Sequence, residues 1–364
     1  MYKFTSIFVI LFLVTTSCFG QTSKAKGTWN FNLYTEMYVS HNFSTDQSEL
    51  PPYFYNHKQL NNLHLNLLSP TLSYASNRFK TTVGLMIGDY SNYNLAHEPL
   101  WARNILELHG SFKISKKHAI WLQAGVFPSH IGNETVRNWN NWTLSRNLSS
   151  ENTPYYSTGI SLNFTSKNEK WNLKALALTG WQTIKPTANS KIPSFGTSVL
   201  YAPSKKHEFS WNQFIGMNQG KFEQAWRYYS NIFYTFSPLK KLQFFTALDV
   251  GLGKNTTHSY GFWTIASASA RLNITDHWRM TLRGEFLSDP KQTMMPLPLY
   301  NSKHATTLST VSLNVDWQIH SLALIRLEGK IVHDRFKNYT QKATTFLTTI
   351  ALQFNLDHKL KRKP

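Results

Sequence analysis

Period-two alternation, sustained over most of the chain, limits the folds open to it. In Thr28–Phe43, Trp29, Phe31, Leu33, Met37 and Val39 fall on one face and Asn30, Asn32, Glu36 and Ser40 on the other. Successive side chains of an extended backbone point to opposite faces, so such a run marks a half-buried strand. It is longer than the ~9–11 residues a tilted strand needs to cross a bilayer. The pattern recurs at 61–75, 78–90, 101–114, 119–128, 154–166, 170–182, 193–202 and 206–218. It continues at 225–237, 241–253, 259–274, 277–288, 304–319, 322–335 and 342–356. These segments predict about sixteen strands and no amphipathic helix of useful length.

The connections alternate in length. Ser76-Asn77, Ser115–His118, Lys167–Glu169, Pro203–Lys205, Pro238–Lys240, Thr275-Asp276 and His320-Ser321 are short. Ser44–Leu60, Ser91–Leu100, Ser129–Thr153, Thr183–Ile192 and Asp289–Lys303 are among the long ones. A soluble β-sandwich has no reason to show this asymmetry. Outer-membrane barrels do, with short periplasmic turns and long extracellular loops. The expected fold is therefore all-β: a transmembrane antiparallel β-barrel over 28–356 with both termini on the short-turn side. Closure leaves no hydrogen-bonding edge for lipid to penalise. No repeat of fixed period suggests a propeller or solenoid.

Residues 1–20 have the form of a signal peptide, with Lys3, an apolar run Ile7–Val14 and a small-residue site at Gly20. That run is too short to span a membrane. Cys18 raises a lipoprotein alternative, with Thr15 where such signals usually carry Leu. Cleavage after Gly20 removes the one cysteine, and with it any disulfide or thiol chemistry. Residues 21–27 form a linker and 357–364 a basic tail. Charged residues are 16% of the chain, below the roughly 25% of soluble domains, and this suits a wall half-facing lipid. The net charge of +19 could serve nucleic acid or a membrane surface. The export signal and the turn pattern exclude nucleic acid. Lys116, Lys117, Lys167, Lys170, Lys205, Lys206, Lys240 and Lys241 sit in or beside short turns. They suit a solvated rim at the headgroups, or attraction of anionic lipid or solutes.

Lipid charges roughly 2–4 kcal/mol for an arginine at mid-bilayer, so charged strand residues should face the lumen. That places Glu36, Glu107, Arg271, Arg279, Arg283, Glu285, Arg326 and Glu328 inside, with Arg103, Asp249 and Asp316 following the same logic. Rings of charge of this kind select among solutes; the same residues could equally form salt bridges that hold the wall. Trp29, Trp101, Trp171, Trp181, Trp226, Trp263 and Trp278 lie near strand ends, as an interfacial girdle requires. Trp139 and Trp142 lie inside the longest loop, where they could anchor it or stack on sugar rings.

That loop, 129–153, is rich in Asn, Ser and Trp and has no regular period. Connections this long are usually functional or disordered, and its tryptophans and arginines argue against disorder. From Gly125 the chain carries Phe127, Pro128, Ile131, Gly132, Glu134, Asn141, Ser145, Arg146, Pro154, Tyr155, Tyr156, Thr158 and Gly159. This stretch resembles the motif of the OmpL-like β-barrel porin family of Gram-negative outer membranes. The resemblance implies an outer-membrane porin-like protein and names no solute. Loop 129–153 is then a constriction candidate, with Glu134, Arg137 and Arg146 facing Arg271, Arg279, Arg283 and Arg326 on the wall.

No G-x-S-x-G elbow, H-E-x-x-H pair, phosphate loop or dinucleotide fingerprint is present, so neither an enzyme nor a cofactor is expected. No EF-hand pattern occurs, and Asp46, Glu49 and Asp89 are the candidates for a rim cation. The expected function is passive diffusion of small hydrophilic solutes across the outer membrane. The alternative is a closed or plugged barrel serving assembly, secretion or adhesion. Expected partners are outer-membrane lipid and lipopolysaccharide, small hydrophilic solutes, the outer-membrane assembly machinery and, optionally, further copies of the chain as a homo-oligomer.

Overall fold

The structure, a computed structural model, describes residues 27–186, 193–218, 225–254, 259–294, 305–337 and 342–360. The signal peptide, residues 21–26 of the linker and residues 361–364 of the tail lie outside the described residues.

Sixteen strands are present: β1 (Thr28–Asn42), β2 (His64–Ala75), β3 (Phe79–Leu85), β4 (Ile105–Lys113), β5 (Ala119–Pro128), β6 (Tyr156–Thr165), β7 (Trp171–Leu178) and β8 (Ser194–Ser204). The second half holds β9 (His207–Asn218), β10 (Ala225–Phe236), β11 (Leu242–Lys254), β12 (Tyr260–Asn273), β13 (Trp278–Asp289), β14 (Thr306–His320), β15 (Ala323–Asp334) and β16 (Thr344–Leu360). Each pairs antiparallel with its chain neighbours, and β1 pairs with β16 to close the barrel. Among the described residues two short α-helices lie between strands, α1 (Asp89–Asn94) and α2 (Leu148–Glu151), with one 3-10 turn at Asn138–Asn140.

Alternation fixes the two faces. Leu282, Phe286, Val311, Leu313, Leu327, Ile331, Phe346 and Ile350 are exposed on the outer face, while Arg283, Glu285, Arg326 and Glu328, on β13 and β15, are buried on the inner one. A one-residue slip would exchange the sets, so the register is strongly specified. At the short-turn ends Trp171 stacks on Tyr201 at 4.1 Å and Trp278 on Trp317 at 5.5 Å, forming part of an interfacial girdle.

Several local expectations need correction. The strand expected over 78–90 stops at Leu85: Gly88 adopts φ 126°, and a Cβ there would lie 2.5 Å from the Asn66 carbonyl oxygen, so the chain turns into α1 instead. Arg103 is not on a strand; it donates to the carbonyls of Ala96 (2.7 Å) and Glu98 (2.9 Å) in the approach to β4. Trp181 and Trp263 are not girdle residues. Trp263 shares the inner parity of Ile265 and Arg271 and is fully buried, and Trp181 packs inside on Phe214 and Tyr229. The last strand runs to Leu360, where it pairs with Trp29, rather than ending at 356.

An apolar cluster occupies part of the loop-side lumen. Leu50 and Phe54 from the 43–63 connection and Leu148 from the 129–153 loop pack with Trp263, Ile265, Leu287, Leu308, Val332 and Leu347 in one apolar cluster.

Candidate functional site: the inward loop and its wall

The 129–153 loop leaves the wall beside two paired glycines, Gly125 on β5 and Gly159 on β6, with φ of 126° and 149°. A Cβ on either would sit 2.1 Å from a neighbouring strand's carbonyl oxygen, Leu108 or Ala177. The motif residues that follow mostly hold the loop's own shape. The Glu134 carboxylate accepts from the Asn147 backbone N–H (2.6 Å), and Asn147 caps α2 by accepting from Ser150 N–H (2.7 Å). Arg146 donates to the Glu134 carbonyl (2.9 Å) and lies 4.0 Å over the Tyr155 ring. Phe127 is buried in the apolar cluster.

The loop folds onto the inner wall through two charged clusters. Around Arg283, the guanidinium donates to Thr143 Oγ1 (2.5 Å), Ser145 O (3.0 Å) and Ser145 Oγ (2.9 Å). Its ion pairs are to Glu285 (3.2 Å), Glu328 (3.3 Å) and Glu134 (3.5 Å). Glu328 accepts from Ser145 N–H (2.5 Å) and Oγ–H (2.8 Å), and Glu285 from Leu148 N–H (2.6 Å). Burial pushes the Glu134 carboxyl above its usual range, and Arg283 offsets part of that shift.

Nearer the short turns, Arg326 donates to both Asp316 oxygens (2.7 and 3.2 Å) and to the loop carbonyls of Asn138 (2.7 Å) and Asn141 (2.9 Å). Arg279 and Arg271 stand 3.6 and 3.9 Å from the same carboxylate. Across the lumen, Arg137 donates to Ser69 (3.0 Å) and Thr71 (2.5 Å) and lies 3.9 Å from Glu107. Glu36 is fully buried; it accepts from Tyr34 (2.7 Å), Asn66 (2.5 Å) and Gln353 and pairs with His57 at 2.8 Å. The 43–63 connection lies against the loop, its Tyr55 N–H (2.8 Å) and Asn56 Nδ2 (3.0 Å) donating to Glu151.

The eyelet expected from the sequence is thus rearranged. Glu134 does face Arg283, but Arg137 meets the opposite wall and Arg146 meets Tyr155, so neither faces Arg271 or Arg279. Arg283, Glu285, Arg326 and Glu328 are committed to holding the loop. Open space lies on the other side of it: a cavity of about 520 Å³ lined by Asn32, Glu107, Arg137, Trp139, Tyr155 and Asp357 among others. Trp142 packs edge-on to Phe245 at 6.2 Å. Among the described residues, Asp46, Glu49 and Asp89 do not gather into a cation site. Sequence reasoning missed His57, Asn138 and Glu151, single polar loop residues in no repeating pattern, and Asn66, an uncharged residue of β2, because their partners are far away in the chain.

A closed barrel with an apolar exterior, a charged interior and a loop folded against its inner wall has the build of an outer-membrane porin. The chain belongs to the family described as "Putative beta-barrel porin-2, OmpL-like", whose model matches residues 28–356. It matches no curated protein. Among solved structures it is similar to the outer membrane channel DcaP of Acinetobacter baumannii (TM-score 0.60, 11% identity, 93% of this chain and 99% of that one). It is similar also to the anion-selective porin from Comamonas acidovorans (0.62, 8%, 91% and 100%) and to OprD from Pseudomonas aeruginosa (0.51, 10%, 92% and 96%). At these identities the likeness is one of fold. The protein is a porin-like barrel of the outer membrane.

Proposed function

We propose that the protein is a porin through which small hydrophilic solutes diffuse passively, with the 129–153 loop narrowing the path. The observation that carries this is the loop's attachment to β13–β15 on one side and to β2 on the other. The attachment leaves a polar, mixed-charge cavity beside β1, β4 and β16 as the route. Glu107, Glu134, Arg137, Arg146 and Asp357 supply its charge, and Glu134 and Arg146 together with Arg283, Glu285, Arg326, Glu328 and Glu36 act as a scaffold that fixes its width. Charge lining a narrow passage sets ion preference by ordinary channel physics. A bilayer recording of the purified barrel tests this, with discrete conductance steps expected. A correctly folded barrel with no steps would sink it.

One observation favours a second reading. The apolar cluster joining Leu50, Phe54 and Leu148 to the wall resembles a plug more than a water-lined pore. A plugged barrel serving assembly, secretion or adhesion would show no steps and would retain a stable partner on purification. Self-association fits either reading; OmpT of Vibrio cholerae, one of the similar structures, is recorded in a trimer form.

A further inference from the structure

The two charged clusters on the inner wall are not balanced alike. Around Arg283, three carboxylates meet that guanidinium, and Lys330 joins Glu328 at 4.0 Å. Four residues earlier on β13 the balance reverses: among the described residues, Arg271, Arg279 and Arg326 share the one carboxylate of Asp316. Arg326 takes both of its oxygens at hydrogen-bonding distance and leaves the other two guanidinium groups outside that range. Arg279 donates one hydrogen bond, to Gln318 Oε1 at 3.1 Å. Arg271 is 8% exposed, makes no hydrogen bond among the described residues, and has a buried Nε with no partner. The Trp142 ring flanks it at 5.9 Å.

Buried guanidinium N–H groups without acceptors are costly, and two like charges side by side in a low-dielectric wall add to that cost. An oxyanion would relieve both, because the planar fork of arginine matches the spacing of carboxylate and phosphate oxygens. Arg279 is the most open of the three, its side chain 23% exposed, and it lies one residue from the turn, level with the outward Trp278–Trp317 stack. The site therefore opens at the short-turn mouth of the lumen, beneath the loop.

We propose that Arg271 and Arg279, backed by Trp142, form an oxyanion-binding subsite at that mouth, serving phosphate- or carboxylate-bearing solutes. The proposal rests on the porin reading for the solute's route and not for binding itself. The test is calorimetric titration of the detergent-solubilised barrel with inorganic phosphate, against chloride at equal ionic strength. Saturable phosphate binding is expected, weakened about tenfold for each guanidinium removed in R279Q and in R271Q/R279Q. R271K should bind with intermediate strength, because it keeps the charge and loses the fork. K205Q/K206Q, which removes two turn charges far along the rim, should bind as the parent does. If the double variant fails to fold, R279Q alone decides, since its side chain is partly in solvent. Phosphate heats no larger than those of chloride, or unchanged in folded R279Q, would overturn the proposal. Displacement of phosphate by phosphatidylglycerol in mixed micelles would also overturn it, by assigning the site to lipid headgroups. A barrel that binds phosphate yet passes no current would refute the porin reading and leave the subsite standing.

Discussion

Arg283 shows how far a single side chain can be from the role its sequence position suggests. Its parity on β13 places it inside the barrel, and that much was legible, because Met280, Leu282 and Phe286 claim the other face. Its partners were not legible, since Thr143 and Ser145 lie some 140 residues away in a loop without period. The side chain is a clasp. Removing one member of a buried ion pair costs about 3–5 kcal/mol because the other charges are stranded. Arg283→Met is therefore expected to release the loop while the barrel persists. Trypsin cleavage after Arg137 or Arg146, under conditions that spare the parent protein, would report the release; unchanged protection would refute the clasp. Three residues on, Phe286 points outward. Phe286→Arg should cost roughly 2–4 kcal/mol of insertion free energy. The loss would be read as a lower yield of heat-modifiable barrel on gels after refolding into vesicles; parent-like yield would reverse the face assignment.

At the scale of elements, the strands were the easiest features to recognise and the loops the hardest. Alternation locates a strand wherever one face meets lipid, as on β12 to β16, because a water-facing and a lipid-facing residue differ sharply in hydropathy. It failed at Met86–Tyr90, where the residues continue the pattern but Gly88 and the Asn66 backbone turn the chain inward. It also failed to separate Trp263 from the girdle, because tryptophan suits both an interface and a core. The 43–63 connection gave no signal of its inward course. Its Lys58 is buried against the loop, donating to the Leu50 (2.5 Å) and Pro51 (2.8 Å) carbonyls. Burial pushes the ammonium down to about 8, with Glu49 and Glu151 offsetting only part of the effect. The folded value lies below the unfolded one, so Lys58's contribution is fully present above the ordinary lysine value of 10.5 and is lost as pH falls through about 8. Protection against hydrogen exchange across residues 50–60, corrected for the intrinsic rate, should therefore fall as pH is lowered from about 10.5 to about 8. Lys58→Met should flatten that trend, and a trend that survives the substitution would exclude Lys58 as its source.

For the whole molecule, the termini and the longest loop set a schedule. The closing seam joins the first strand to the last, so the sheet keeps two raw edges until the final residues of β16 arrive. The loop between β5 and β6 meets its wall through contacts 137 to 188 residues apart in sequence. If β5 and β6 pair before β13–β15 join the sheet, the loop between them precedes the strands it clasps. Contacts of such long range slow folding, because chain entropy is lost before any contact rewards it. We expect the loop then to act as a template for β13–β15, whose arginines and glutamates, otherwise stranded, dock on it as the cylinder closes. Replacing residues 133–151 with a short glycine–serine linker should thus do more than widen a passage. It should slow closure, seen as delayed appearance of the compact band during refolding into vesicles. Closure at the parent rate would show that the loop is a passenger in assembly.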